Sequence, residues 1–431
     1  TLGFIALRSF TEKFKNTTLK ITNNKYHFKC INCGTQYESN EVQYLCPECN
    51  KQNNISSPPK GVLKTIYNYE KIANTEDFIS LKQNNFLDLL PVEDIQSMPN
   101  LRIGNTPLYS IDNFKNTDLP FDLYLKDDSQ NPTFSFKDRA SALVSAYAKE
   151  NGIDTIVAAS TGNAGSSLAG ICAAQKQEAI ILVPESAPKA KLTQIVMYGA
   201  KIIPVKGTYD DAFDLSIKAS KEFGWYNRNT AYNPLTIEGK KTVSYELYEQ
   251  LNFTVPDRIF VPVGDGVIIS GVYKGFEDLL KLNIIDKMPC IVGVQSAGSD
   301  NLIRNIGKKH FEIKESNTLA DSISVDIPRN FYMAQDFIQK YNGETLTIED
   351  KDILKASSAL AKNTGLFAEP AAATAFAGFS AYFERKIIKN NSKNVILLTG
   401  SGLKDINSVK DLIDIPKSIH PSISELKKLF R

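Results

Sequence analysis

Tryptophan, histidine and methionine are scarce in this sequence of 431 residues, which contains one, three and four of them. Net charge is also small, because 50 lysine and arginine residues nearly balance 48 aspartate and glutamate residues. A net charge of +2 gives no basic field of the kind that attracts nucleic acid or an anionic membrane. No apolar run approaches the roughly 18 residues that a membrane span needs. We therefore expect a cytoplasmic protein with no nucleic-acid or membrane partner.

Cysteine is uncommon too, and its arrangement argues against a disulfide scaffold. Four of the six cysteines form two Cys-x-x-Cys pairs, a usage that favours a reducing compartment. Each pair can offer two thiolates to one ion, and two pairs complete a closed tetrahedral zinc site. A redox pair or a metal-free ribbon is the alternative. The predicted ligands of this structural zinc are Cys30, Cys33, Cys46 and Cys49.

Apolar runs in the rest of the chain indicate the fold class. A chain of 431 residues is too long for one core, so two or three domains are expected. Continuous apolar runs separated by helical stretches are typical of parallel strands buried on both faces. The predicted strands cover residues 155–159, 179–184, 200–205, 258–263, 291–294 and 394–398. This alternation predicts an α/β fold with parallel sheets.

Lys137 lies where a turn-forming Asn131-Pro132 pair gives way to a helical pattern. In the first turn of a helix the macrodipole disfavours the charged amine and favours the neutral one. A neutral amine can attack an aldehyde and form a Schiff base. A solvated lysine paired with Asp138 is the ordinary alternative, since most lysines are exposed.

Three glycine-rich loops follow predicted strands, which is where ligands bind in open α/β sheets. The loop at 160–167 offers hydroxyls, backbone N–H groups and the Asn163 amide, and the loop at 264–271 precedes a helix whose N–H groups suit a phosphate. The third loop, 399–405, offers the hydroxyl of Thr399 to a ring nitrogen. Tight packing explains any one such loop. Together with Lys137, they indicate pyridoxal phosphate, which needs a lysine, a phosphate site and a partner for its ring nitrogen.

Several segments resemble, in the same order, those of the threonine synthase family. They are Ser135-Phe136-Lys137-Asp138-Arg139, Ser160-Thr161-Gly162-Asn163, the loop at 264–271 and Thr399-Gly400-Ser401-Gly402-Leu403-Lys404-Asp405. The resemblance covers residues 100–410 and implies two parallel-sheet domains of pyridoxal-phosphate fold type II, like the tryptophan synthase β subunit. The cysteine pairs resemble the zinc ribbon of archaeal-type members.

The resemblance also implies a role for each residue. Lys137 would be the Schiff-base lysine and proton carrier, Asn163 would bind the ring 3-hydroxyl, and Thr399 would face the pyridine nitrogen. The residues expected around the cofactor phosphate are Gly264, Asp265, Gly266, Val267 and Ile268. Those expected at the substrate carboxylate are Ser160, Thr161 and Ala164. The implied activity is that of a pyridoxal-phosphate lyase that converts O-phosphohomoserine and water to threonine and phosphate, and members of the superfamily are often homodimers.

At two positions the sequence differs from the family pattern, so substrates other than O-phosphohomoserine stay possible. Thr236 stands where the family has an arginine for the substrate's phosphate, with Lys240, Lys241 or Arg329 as candidate replacements. Asp265 in the phosphate loop would repel a phosphate unless it points away or pairs with a cation. The alternatives are a cysteate-synthase-like enzyme acting on O-phosphoserine, a threonine or diaminopropionate ammonia-lyase, and a non-catalytic cofactor-binding relative. Glu369, which resembles the start of a family helix, either shapes the cofactor site or is an ordinary acid at a helix N-terminus.

We expect the following division of the chain. Residues 1–60 form the N-terminal segment with the zinc ribbon, and residues 126–205 form a small α/β domain that carries Lys137 and the Asn163 loop. The large α/β domain comprises residues 61–125 and 206–415, and residues 416–431 form a C-terminal tail.

Overall fold

The structure is a computed structural model and describes residues 25–413 and 415–430. The sequence of residues 20–30 also alternates as a strand would, and residues 20–24 of this predicted strand lie outside this part of the chain. The strands are β1 (Tyr26–Cys30), β2 (Gln36–Glu38), β3 (Leu63–Tyr67), β4 (Leu108–Phe114), β5 (Thr117–Asp127), β6 (Thr155–Ala159), β7 (Glu178–Pro184), β8 (Lys201–Val205), β9 (Tyr226–Asn227), β10 (Arg258–Pro262), β11 (Cys290–Ser296), β12 (Glu344–Ile348) and β13 (Lys393–Leu398).

The helices surround these strands, and short 3-10 turns connect several of them. The helices are α1 (Pro47–Asn50), α2 (Tyr69–Thr75), α3 (Phe78–Gln83), α4 (Lys137–Glu150), α5 (Asn163–Gln175), α6 (Lys189–Met197), α7 (Tyr209–Phe223), α8 (Leu235–Lys240), α9 (Thr242–Gln250), α10 (Val267–Lys281), α11 (Phe331–Lys340), α12 (Asp350–Thr364), α13 (Pro370–Glu384) and α14 (Ile423–Leu429). In the described residues we find no helix with both the length and the apolarity to cross a membrane.

Two mainly parallel sheets form the body of the protein, as predicted. The larger sheet has the order β12-β11-β10-β13-β5-β4, and only the edge strand β4 is antiparallel to its neighbour. The smaller sheet has the order β8-β7-β6-β9 and is parallel throughout. All six strands predicted as continuous apolar runs are present within two residues of their predicted ends.

One strand departs from the expected burial. Strand β8 was predicted to be buried on both faces, but Lys201, Ile203 and Pro204 are exposed. It lies at the edge of the smaller sheet and pairs only with β7 among the described strands. An edge strand is covered on one side only, so its apolar residues do not guarantee burial.

Helix α4 carries Lys137 at its first residue and packs against α5 and α8. Its residues favour a helix because alanine recurs at positions 140, 142, 146 and 148 and has the highest intrinsic propensity. Ten of its 14 residues are buried. Small side chains let the neighbouring helices approach closely, and this burial fixes the start of α4 relative to both sheets.

A third, small sheet joins the cysteine segment to the body. Its order is β2-β1-β3, with both pairings antiparallel. Two buried contacts connect β3 to the body: Lys64 Nζ lies 2.7 Å from a carboxylate oxygen of Glu277, and the Tyr67 hydroxyl donates to Glu238 at 2.7 Å. The cysteine segment is therefore anchored to α10 and α8 through charged and hydrogen-bonded groups.

Several strands and their pairings cross the domain boundaries expected from the sequence. Strand β3 pairs with β1 although it follows residue 60, and β5 continues through residue 127 in the larger sheet. Strand β9 pairs with β6 although it follows residue 205. The segment after residue 416 contains the exposed helix α14. The division into domains itself stays a prediction.

Candidate active site

The four-cysteine cluster, which comprises Cys30, Cys33, Cys46 and Cys49, has the geometry of a tetrahedral metal site. Its four sulfurs all lie within 4.8 Å of one another. The Sγ atoms of Cys30 and Cys49 are 3.7 Å apart, and those of Cys33 and Cys46 are 3.8 Å apart. Four thiolates at a zinc–sulfur distance of about 2.3 Å would be about 3.8 Å apart at the corners of a tetrahedron. The cluster therefore fits zinc, with no corner left for a substrate.

Lys137 is positioned by a turn that the 399–401 segment holds in place. The Phe136 N–H donates to the Thr399 carbonyl at 2.9 Å, and the Ser401 N–H donates to the Phe134 carbonyl at 3.1 Å. Phe134 has φ of +68°, a left-handed conformation that costs free energy for a non-glycine residue. These contacts hold the strained turn and bring Thr399 next to the start of α4.

The surroundings of the Lys137 amine favour its neutral form. Burial lowers the pKa of Lys137 below its usual value, and the nearby guanidinium of Arg228 lowers it further. The carboxyl groups of Glu369 and Asp265 act in the opposite direction and raise the pKa. The residue as a whole is partly exposed. An amine that is accessible and readily deprotonated suits nucleophilic chemistry at this point.

Asn163 begins α5 and is held by a buried carboxylate. Its side-chain Nδ2 donates to the two oxygens of Glu369 at 2.9 and 3.1 Å and to the Ser322 hydroxyl at 3.2 Å. Glu369 is only 3% exposed, and burial raises its pKa. Its backbone N–H donates to the Gly400 carbonyl at 3.1 Å. Glu369, which the sequence left undecided, therefore connects Asn163 to the segment that positions Lys137.

Residues 264–268 connect the end of β10 to the start of α10. Gly266 precedes the helix with φ of +83°, and no side chain caps the first turn. A Cβ added to Gly266 would lie 2.9 Å from the Ala334 Cβ, so a larger residue would be strained in conformation and would force its neighbours to shift. The free N–H groups of this first turn suit a phosphate.

Asp265 of that loop has hydrogen-bond partners. Its Oδ1 accepts a hydrogen bond from the Arg329 N–H at 3.0 Å, and its carbonyl accepts one from the Asn330 N–H at 3.0 Å. Burial raises its pKa, which favours the neutral acid, while Arg329, Lys137 and Lys240 lower it. The carboxyl group is thus directed toward residues 329–330, which answers the repulsion expected from the sequence.

Residues 160–164 follow β6 and lie at the same side of the protein as Lys137. Ser160, Thr161 and Ala164 are half-buried, so their polar groups are accessible. The Asn229 side chain accepts a hydrogen bond from the Ala159 N–H at 2.8 Å and fixes the end of β6. A Cβ on Gly165 would lie 2.5 Å from the Ser160 carbonyl oxygen, so the tight turn requires glycine.

Lys404 contributes to the site although sequence reasoning gave it no role. Its Nζ donates to the Thr133 carbonyl at 3.0 Å, the Ser166 hydroxyl at 2.9 Å and the Gln194 side chain at 2.6 Å. It therefore joins the Lys137 turn to α5 and α6. Burial lowers the pKa of Lys404 to about 8, against the raising effect of Glu369.

The candidate replacements for the missing arginine at position 236 lie in different places. Lys241 is buried in ion pairs with Glu238 and Asp278, and Arg329 pairs with Asp210 and stacks on Phe213, so both are already engaged. Lys240 is buried as well, and its pKa is lowered by burial and by the charges of Arg228 and Lys137, while Asp265 raises it. Arg228 itself gave no signal in the sequence, since it is an isolated arginine after a two-residue strand.

The site residues fit pyridoxal phosphate. Ile323 packs against Gly264, and its neighbour Ser322 accepts a hydrogen bond from Asn163, so the phosphate loop and the Asn163 loop are joined by one turn. An amine, an amide and an uncapped helix N-terminus are connected by these contacts. These are the groups that this cofactor requires.

Comparison with known proteins agrees with this geometry. The sequence model of the family "Pyridoxal-phosphate dependent enzyme" matches residues 100–400. Threonine synthase of Methanocaldococcus jannaschii is 35% identical over 412 residues, which cover 94% of this chain and 99% of that protein. Threonine synthase of Methanosarcina acetivorans is 33% identical over 412 residues, covering 94% and 98%.

Solved structures support the fold. Threonine deaminase isoform 2 of Solanum lycopersicum, in its processed form, has a TM-score of 0.64 at 23% identity over 79% of this chain and 95% of that one. Maize serine racemase has a TM-score of 0.59 at 22% identity, over 69% and 89%. At these identities the likeness concerns the fold alone. The family match and the threonine synthase relatives decide the assignment: the chain belongs to the pyridoxal-phosphate dependent enzymes and is a threonine synthase-like member of that family.

Proposed function

We propose that this enzyme converts O-phosphohomoserine and water to threonine and phosphate. The observation that carries the proposal is the position of Lys137, which begins α4 beside the Thr399 segment and the Glu369–Asn163 pair. The names and nearly full-length coverage of the archaeal relatives support the substrate. The cofactor, pyridoxal phosphate, supplies an electron sink for negative charge at the carbons near the substrate's amino group.

The residues that would hold the cofactor follow from their positions. Lys137 would attach it, Asn163 would donate a hydrogen bond to its ring hydroxyl, and Thr399 would face its ring nitrogen. The N–H groups of residues 264–268 would bind its phosphate, helped by the positive end of α10. A neutral hydroxyl opposite the ring nitrogen does not force that nitrogen to stay protonated.

Lys137 would also move protons once its amine is released. In the overall reaction phosphate leaves Cγ and water adds at Cβ, so protons must be taken from and returned to the substrate's carbons. Because the pKa of Lys137 is lowered by burial and by Arg228, its amine is more readily neutral, which suits it to accept a proton from Cα. Glu369 raises that pKa and would stabilise the protonated amine between the two steps.

The other polar groups would orient the substrate. Ser160, Thr161 and Ala164 would bind its carboxylate through hydroxyl and backbone N–H groups. The four-cysteine cluster would bind structural zinc and contribute to folding. The homodimer, the domain boundaries, the cytoplasmic location and the lack of nucleic-acid or membrane partners stay predictions from sequence.

A second candidate is β-replacement on O-phosphoserine. Thr236 favours it, because this buried residue cannot supply the bidentate phosphate contact of the family's arginine: its hydroxyl donates to the Asn233 carbonyl at 2.8 Å. A substrate one carbon shorter would place its phosphate elsewhere in the cleft. The ammonia-lyase alternative rests on the sequence alone.

Turnover by the cofactor-loaded enzyme tests the proposal. We would incubate it separately with O-phosphohomoserine, O-phosphoserine, threonine and serine, and measure phosphate, ammonia and threonine. The proposal predicts equal amounts of phosphate and threonine from O-phosphohomoserine, no product in Lys137→Ala, and unchanged product in Lys149→Ala, an exposed lysine of the same helix. Phosphate without threonine, or no turnover of O-phosphohomoserine, would overturn it.

A further inference from the structure

Arg228 is a buried arginine with unused hydrogen-bonding capacity. It is 1% exposed, its Nε donates to the Ser141 hydroxyl at 3.1 Å, and its Nη2 has no hydrogen-bond partner within the described part of the chain. A buried, charged donor without a partner is costly and uncommon. Such a group is retained where a ligand supplies the missing acceptor.

Lys240 is a second buried cation in the same region. Its side chain is fully buried at the end of α8, and its Nζ donates to the Thr236 carbonyl at a long 3.3 Å. Among residues 25–413 and 415–430, no carboxylate lies within ion-pair distance of it. Burial, Arg228 and Lys137 lower the pKa of Lys240, whereas Asp265 raises it. The two cations are thus electrostatic neighbours of each other and of Lys137.

Both residues lie on segments that contact α4, the helix that begins at Lys137. Ser141, which holds Arg228, lies one helical turn after Lys137 and on the same face of α4. Lys240 lies one turn after Thr236, and its Cβ is 2.7 Å from the point where a Cβ on Gly271 of α10 would stand. Lys240, the last residue of α8, therefore packs against α10, the helix that follows the 264–268 loop.

Few acidic groups act on these basic side chains. The acids among the electrostatic neighbours of Lys137, Arg228 and Lys240 are Asp138, Asp265 and Glu369. Asp138 accepts hydrogen bonds from Thr133 and Glu369 accepts them from Asn163, and burial favours the neutral form of all three acids. A phosphate ester would supply the acceptor that the Arg228 guanidinium lacks, together with negative charge.

We propose that Arg228 and Lys240 bind the phosphate group of the substrate and replace the arginine that this chain lacks at Thr236. The inference rests on the proposed function. The guanidinium would offer its free N–H groups to two phosphate oxygens, and the ammonium would act as a point charge. The cofactor's phosphate has the same chemistry, but the uncapped N-terminus of α10 already provides its N–H donors.

Binding of inorganic phosphate to the cofactor-loaded enzyme tests this site without turnover. We would titrate phosphate calorimetrically into wild type, Arg228→Met, Lys240→Met and the exposed control Arg385→Met. The dissociation constant should rise at least about tenfold in the first two variants and stay unchanged in the control. Added O-phosphohomoserine should displace phosphate from wild type. Unchanged phosphate affinity in both site variants would overturn the proposal.

A second arm separates the two sources of phosphate. Pyridoxal phosphate affinity of the cofactor-free variants should stay within about threefold of wild type, while KM for O-phosphohomoserine rises at least about tenfold. Loss of cofactor affinity with unchanged KM would assign the pair to the cofactor and overturn the proposal. If Arg228→Met does not fold, Arg228→Lys and Lys240→Gln decide by the same measurements.

The two arms also distinguish the inference from the function on which it rests. If wild type makes threonine and the variants keep their phosphate affinity and KM, the inference alone fails. If wild type binds phosphate through Arg228 and Lys240 but does not turn over O-phosphohomoserine, the proposed function fails and the anion site remains.

Discussion

Arg139 supports the start of α4 from behind, and its removal should destabilise the protein strongly. The guanidinium donates to Asp128 at 2.6 and 2.9 Å and to Glu246 at 2.5 and 2.8 Å; Arg139 and Asp128 are buried and Glu246 is partly buried. Arg139→Met leaves both carboxylates without this partner. Breaking a buried ion pair by removing one member costs about 3–5 kcal/mol.

This cost translates into a measurable shift in melting temperature. The entropy of unfolding is about 2.1 cal/mol/K per residue. For 431 residues that unfold cooperatively, the total entropy of unfolding is about 0.9 kcal/mol/K. Arg139→Met should therefore lower Tm by about 3–6 °C. Circular dichroism melts of the cofactor-free protein would measure it, with Arg385→Met as control. A Tm within 1 °C of wild type would refute the reasoning.

The stability lost in Arg139→Met should also depend on pH. Burial alone would raise the pKa of Glu246, but Arg139 and Lys126 lower it below its usual value. A carboxyl group whose pKa is lower in the folded than in the unfolded protein stabilises the fold at any pH above its unfolded-state pKa. This stabilisation is lost as the pH falls through its folded-state pKa. The difference in stability between wild type and Arg139→Met should therefore be largest near neutral pH and shrink below about pH 4. A difference that stays constant with pH would contradict this origin.

Two further predictions concern the cofactor site and the cysteine cluster. Glu369→Gln should weaken pyridoxal phosphate binding by up to about tenfold, because Asn163 keeps one amide oxygen in place of two carboxyl oxygens and a hydrogen bond contributes about 0.5–1.5 kcal/mol; unchanged affinity in an absorbance titration would show that the pair does not position Asn163. Purified protein should contain one zinc per chain, and Cys46→Ser should lose it. The loss should also lower Tm, because zinc binding contributes to folding and β3 connects the cysteine segment to the body through Lys64 and Tyr67. Metal analysis and melting would check this, and a metal-free wild type would contradict it.

Sequence patterns predicted the strands correctly where the strand residues are uniformly buried. The interior strands of both sheets are continuous apolar runs because helices cover both faces, and the family resemblance ordered them. Strand β12 was missed because it is a short edge strand, Glu344–Ile348, whose residues are mostly half-buried. Strand β9 has two residues and carries too little pattern to be recognised.

The candidate site was predicted in the parts that carry motifs and missed in the parts that depend on tertiary contacts. Lys137, Asn163 and the 264–268 loop belong to recognisable turns between strands and helices. Arg228 and Lys404 act through burial and through partners far away in the chain, and neither property is visible in a local pattern. Choosing Lys240 over Lys241 required knowing which of two adjacent lysines is already paired.

The central claim is that Lys137 carries the cofactor, and one measurement tests it most directly. Enzyme loaded with pyridoxal phosphate is treated with borohydride, which fixes a cofactor–lysine bond, and is digested and examined by mass spectrometry. The account predicts the cofactor mass on the peptide that contains Lys137 and its absence in Lys137→Ala. A modified lysine elsewhere, such as Lys240 or Lys404, with Lys137 unmodified, would contradict it.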